Sequence, residues 1–231
     1  MNSIIDEIQD SLRFYKQLGC PGFDCSKDAI EIINNWEKRP ALHGETLESI
    51  KKDVEKCRCC RLFQSRRNMV FGEGDPRARL MFVGEAPGPE EDDQGKPFVG
   101  PAGQLLTKII NAMHLTRTRV YLCNILKCLQ PLNQNPEPDE ISICYPFLKR
   151  QIRVIKPEFI CALGTVAAQT LLKTKKPVSS LRGRFHDFHG IRLMPTYHPD
   201  YLLQNEDKKR AVWEDMKKLM QALERQRGNR L

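Results

Sequence analysis

No stretch of 18 consecutive apolar residues occurs in this sequence, and no basic-then-apolar leader precedes a small-residue cleavage site. The first absence argues against a membrane-spanning helix and the second against export, so the cytoplasm, with the genome, is the expected location. No internal repeat is visible, which sets aside solenoids and propellers. Disulfides are not expected either. The nine cysteines are an odd total, and 231 residues can bury one good core without cross-links. Metal or iron–sulfur ligation is the better use of so many cysteines in a reducing compartment.

Charge, by contrast, is abundant and unevenly placed. The formal net charge is +8, yet residues 1–56 carry 8 Lys/Arg against 11 Asp/Glu, while 57–231 carry 29 against 18. A basic domain with an acidic appendage favours a polyanionic partner such as nucleic acid. The first fifty residues hold apolar positions at helical spacing (Ile4, Ile5, Ile8, Leu12) and are read as an accessory helical extension. Two readings stay open for it, an arm for a protein partner or a cap on the main domain, which then spans 51–231.

That domain alternates short apolar runs with helical patterns. Leu80–Val83, Arg119–Cys123, Phe159–Leu163 and Ile191–Met194 read as strands. Between them lie helical spacings through Leu105–Ile110, Ile141–Ile155 and the stretch ending at Leu172, with a last helix around Ala211–Met220. This order predicts parallel βαβ units in a three-layer α/β/α sandwich. The stretch Leu80–Leu106 organises the rest. Its strand stops at Gly84, Glu85 opens the next loop, and a second glycine-marked loop from Gly95 to Gly103 surrounds Phe98. Loops at the carboxyl ends of such strands are where ligand sites form, so Glu85, Asn124 and His198 are expected to converge above one sheet edge.

The cysteines supply a second constellation. Cys57 and Cys60 form a CxxC pair whose thiolates leave one tight turn, and Cys128 and Cys144 complete a set of four. Zinc and an iron–sulfur cluster both suit four thiolates, and Cys59 rivals either neighbour as a ligand. Cys20 and Cys25 read as unligated, and Cys123 and Cys161, inside strands, read as core residues.

Taken together, Cys57-x-x-Cys60, Gly84-Glu85-Ala86-Pro87-Gly88 followed by Glu91-Asp92, Pro97-Phe98-Val99-Gly100, Asn124-x-x-Lys127-Cys128, Asn133, Cys144, Arg182-Gly183 and His198-Pro199-x-Tyr201-Leu202-Leu203 resemble the bacterial and archaeal iron–sulfur uracil-DNA glycosylases, usually called family 4. The likeness runs from residue 57 to about 203, and residues 1–50 have no counterpart in minimal members. The resemblance implies a four-stranded parallel sheet and a structural 4Fe-4S cluster on Cys57, Cys60, Cys128 and Cys144. It also implies excision of uracil from DNA, and a monomer is expected. Glu85 and His198 would be catalytic, with Gly84, Phe98, Asn124 and His198 around the uracil. Asn133, Arg182, Gly183 and Arg184 would contact the DNA, with Lys173, Lys175 and Lys176 adding charge.

Three positions depart from the family's usual pattern. Asp200 replaces the Ser after His-Pro, Leu129 replaces a basic residue after Cys128, and Gln134 replaces the Arg after Asn133. Leu129 and Gln134 remove positive charge near the cluster, Asp200 adds a carboxylate where the DNA backbone is expected, and none alters Glu85, Phe98, Asn124 or His198. Readings from other classes are a nucleic-acid-binding module without activity, a redox protein, and a glycosylase acting on other deaminated bases.

Overall fold

A computed structural model describes residues 44–130 and 135–228. All of them from Glu45 onward belong to one compact unit, Glu45–Leu231. The extension expected over 1–50 lies almost entirely outside the described residues. Helix α1, Leu47–Lys56, runs through the expected boundary at residue 50. Thr46 caps it reciprocally with Ser49, and its buried Ile50 and Val54 pack with Phe71.

The sheet has six strands: β1 (Glu73–Gly74), β2 (Leu80–Gly84), β3 (Tyr121–Asn124), β4 (Phe159–Leu163), β5 (His186–Phe188) and β6 (Ile191–Thr196). Their spatial order is β1-β3-β2-β4-β6-β5. The inner four, β3, β2, β4 and β6, are mutually parallel, as expected. The difference from a four-stranded sheet is at the edges, where β1 and β5 pair antiparallel with β3 and β6. Strands of two and three residues carry too little alternation to be read from sequence.

The inner strands are largely apolar because helices cover both faces. Successive side chains point to opposite sides. Met81, Val83, Cys123, Ile160 and Ala162 face α4 (Pro138–Ile155), α5 (Thr165–Leu172) and α6 (Val178–Leu181). Leu80, Phe82, Leu122, Phe159 and Cys161 face α3 (Pro101–Ala112), α7 (Pro199–Gln204) and α8 (Lys209–Gly228). Cys123 and Cys161 are therefore core residues, fully buried in opposite layers. The remaining helix, α2 (Pro89–Gln94), is a short segment between the two glycine-marked loops. Pro146 lies inside α4 at an exposed position, where the carbonyl it leaves without a donor can be met by water.

Candidate active site

β2 and β3 are in register with Gly84 opposite Asn124, so the residues at their carboxyl ends are neighbours. β6 ends at Thr196, which brings His198 to the same edge. Glu85, Phe98, Asn124 and His198 line one cleft of about 580 Å³, with Leu129 and Leu203 also on its wall. The convergence expected from the sequence is observed. Only glycine suits position 84, since a Cβ there would lie 2.4 Å from Asn124 Oδ1 and 2.7 Å from the Phe98 ring.

Each side chain has a distinct environment. Asn124 is 2% exposed, and its Oδ1 is buried without a donor among the described residues. Its backbone carbonyl accepts from Lys127 Nζ at 2.8 Å, and that buried amine also donates to Gln151 Oε1 at 2.7 Å. The Asn124 backbone is therefore held from behind while the acceptor of its carboxamide stays open. Glu85 makes no side-chain hydrogen bond among the described residues, and burial raises its carboxyl above the ordinary glutamate value. At His198, Nδ1 accepts from the Asp200 N–H at 3.2 Å, which assigns the proton of the neutral ring to Nε2. Burial lowers its pKa, partly opposed by the carboxylates of Asp200 and Glu91. Phe98, 5% exposed, sits with its ring centroid 6.2 Å from that of His198.

Two acids of α2 fasten the surrounding loops. Glu91 accepts from the Gly88 N–H at 3.1 Å through Oε2 and from Val99 and Gly100 at 2.8 and 3.0 Å through Oε1. Asp92 accepts from the Arg67 and Asn68 backbone, tying the cysteine-rich stretch to the same helix. Both were legible in sequence as motif residues. Their task was not, because it depends on which amides come within reach.

The cysteines gather beside the cleft. Cys60, Cys128 and Cys144 share a small apolar cluster with Leu62 and Leu126, and Ala86 of the Glu85 loop packs against it. The Cys57 thiol is raised by burial and senses Cys59 and Cys128, and Cys144 is pushed up to about 12, mainly by burial. None of the seven described cysteines is in a disulfide, and Cys59 is exposed. No three Cys, His, Asp or Glu side chains among the described residues are close enough to hold one metal ion. Arg66, which sequence reasoning did not single out, donates to Cys128 Sγ at 3.2 Å.

The basic turn is placed differently from the expectation. Arg182 was expected on phosphate, but its Nε and Nη2 donate to Asp215 at 3.0 and 2.8 Å, and Nη2 also reaches the Ala211 carbonyl. Asp215 in turn accepts from Thr196 Oγ1 at 2.6 Å. The Arg182 guanidinium also lies 5.3 Å from the Tyr197 ring, so it braces the His198 loop from inside. The Gly183 carbonyl accepts from Lys218 Nζ, while Arg184 is exposed. Asn133 and Gln134 lie outside the described residues.

Comparison with known proteins agrees with this geometry. The model of the uracil DNA glycosylase superfamily matches residues 71–217. The type-4 uracil-DNA glycosylase of Saccharolobus solfataricus is 42% identical over 188 residues, covering 78% of this chain and 87% of that protein. The Thermotoga maritima type-4 enzyme is 43% identical over 178 residues, 75% of this chain and 93% of its own length. The Archaeoglobus fulgidus type-4 enzyme is 36% identical over 183 residues, 76% and 92% of the two chains. With its matched residues supplying both the sheet and the strand-end cleft, this chain belongs to the uracil-DNA glycosylase superfamily, among its type-4 members.

Proposed function

We propose that this protein is a monofunctional glycosylase that hydrolyses the N-glycosidic bond of uracil in DNA, releasing the free base and leaving an abasic site for excision repair. The observation that carries the reading is the buried, donorless Oδ1 of Asn124 at the floor of the cleft. An unpaired buried acceptor costs about 1–3 kcal/mol, which a ligand donor would recover. Uracil supplies that donor at N3–H and an acceptor at O4 for the carboxamide N–H. Cytosine presents the opposite pair and leaves both unmet.

The target nucleotide must leave the helix to reach this pocket, and a mispaired or single-stranded uracil costs least to extract. Phe98 stacks on the flipped ring. His198 donates its Nε2–H to uracil O2 as negative charge develops there, and a neutral imidazole suffices because its tautomer is set by the Asp200 amide. Glu85 orients the attacking water, and its charge favours the cationic character of the sugar. Release of uracil from a duplex with a single U·G pair tests the reading. Measurable release that depends on His198 supports it, and absence of release by iron-replete protein overturns it.

A 4Fe-4S cluster on Cys57, Cys60, Cys128 and Cys144 completes the proposal. The donor set fits: three of these thiols share one apolar cluster, the fourth senses Cys128, and Arg66 supplies positive charge at Cys128. Four thiolates suit zinc or a cubane, and the likeness to the iron–sulfur uracil-DNA glycosylases favours the cluster. When bound, the cluster is a structural cross-link that fixes the loops at the DNA-facing edge. Arg184, the Gly183 backbone, Asn133 and the exposed Lys173, Lys175 and Lys176 are proposed to meet phosphates. No helix among the described residues is long and apolar enough to cross a membrane. We place a monomeric enzyme at the nucleoid of a prokaryotic cytoplasm, with residues 1–50 as a candidate protein-binding arm.

A further inference from the structure

Phe98 carries an unusual backbone. Its φ is +55°, in the left-handed region that bulky side chains seldom adopt. Two neighbours hold the loop there from opposite sides. On the amide side Glu91 accepts from Val99 and Gly100. On the carbonyl side Arg117 donates through Nη1 to the Phe98 carbonyl at 2.9 Å and through Nη2 to the Pro97 carbonyl at 2.7 Å. Nη1 also reaches Thr107 Oγ1 at 3.2 Å, and that hydroxyl donates to the Gly103 carbonyl at 2.9 Å, so the fork is anchored in α3. Gly103 packs so closely that a Cβ there would lie 1.9 Å from the Phe98 oxygen.

Arg117 has no carboxylate partner among the described residues, and its guanidinium is turned to backbone carbonyls at the cleft wall. We propose that Arg117 is a positioning residue that locks Phe98 as a stacking platform before the base arrives. The inference rests on reading Phe98 as the residue that stacks on uracil. A planar fork suits two successive carbonyls in a way that a point-like ammonium does not. Without the fork the loop can relax toward ordinary backbone angles, and the ring must then be re-ordered each time a base enters.

The test compares two binding constants on purified, iron-replete protein: inhibition by free uracil, and affinity for a duplex carrying an abasic site. Base stacking corresponds to about fivefold to 150-fold in affinity. In Arg117→Met, uracil inhibition should weaken about fivefold or more, while abasic-duplex affinity stays within about twofold of wild type. Arg117→Lys, which keeps one donor, should fall between. Unchanged uracil inhibition in a folded Arg117→Met overturns the proposal, as does an equal loss of both affinities. If Arg117→Met does not fold, Arg117→Lys decides by the same split, and wild-type uracil inhibition in it overturns the proposal. Phe98→Ala separates the two levels. Unchanged uracil inhibition there removes the stacking reading itself, whereas a loss there with none in Arg117→Met removes only the role of Arg117.

Discussion

His198 is the most tightly constrained chemical group in the cleft. Its Nδ1 accepts the Asp200 amide, so protonation would set one N–H against another, and burial opposes the charge as well. Its pKa is thus below the ordinary 6.5, whereas that of Glu85 is above 4.5. Neutral imidazole is therefore favoured above the ordinary histidine value, whereas the ionised carboxylate is lost at a higher pH than for an ordinary glutamate. The single-turnover rate should fall as the pH is lowered, through a Glu85 step above the ordinary glutamate value and a His198 step below the ordinary histidine value. A rate that rises as the pH is lowered would contradict the assignment. His198→Ala should slow uracil release about tenfold or more, toward the 10²–10³ scale of one transition-state donor. Asp200→Ser removes an exposed carboxylate from the proposed DNA face and should tighten duplex binding at low salt. Titration by fluorescence anisotropy checks it, and unchanged or weaker binding counts against it.

At the scale of elements, the register of β2 and β3 decides whether the pocket exists. Gly84→Ala sets a methyl group between the Asn124 carboxamide and the Phe98 ring. Such overpacking costs about 1–3 kcal/mol, and the strain falls on the two groups assigned to the base. Uracil release should therefore drop more than stability does, which paired rate and melting measurements will separate. The Arg182–Asp215 pair works on the neighbouring element. Asp215 is buried and ties α8 to Thr196, two residues before His198. Breaking such a pair costs about 3–5 kcal/mol, and Asp215→Ala should approach the lower bound because Arg182 is partly exposed. Calorimetry should record a melting temperature lower by several degrees, and an unchanged value would show that the pair is dispensable.

For the whole molecule, the described residues join two centres that share walls, the cysteine cluster and the base cleft. Ala86, one residue beyond Glu85, packs on the cysteine cluster, and Lys127 lies between Asn124 and Cys128. Protein purified without oxygen should contain about four iron and four sulfide per chain. Removing them with a chelator should lower the melting temperature and weaken uracil inhibition together. Stoichiometric zinc in place of iron would sink the cluster assignment.

Sequence alone determined the parallel βαβ order and the three strand-end residues, and it singled out four cysteines. These follow from local signals: apolar runs ending at glycine or asparagine, helical spacing between them, and cysteine pairs at fixed separation. The edge strands β1 and β5 escaped because their pairing comes from a partner strand and not from their own pattern. The pairing of Arg182 was hidden for a related reason. A basic residue in a turn looks free until α8 brings Asp215 against it from 33 positions away. The same holds for Arg117, Glu91 and the open acceptor of Asn124. Which donors and acceptors meet is decided by chain segments distant in sequence, so only the tertiary structure decides which polar groups are already paired and which remain for a ligand.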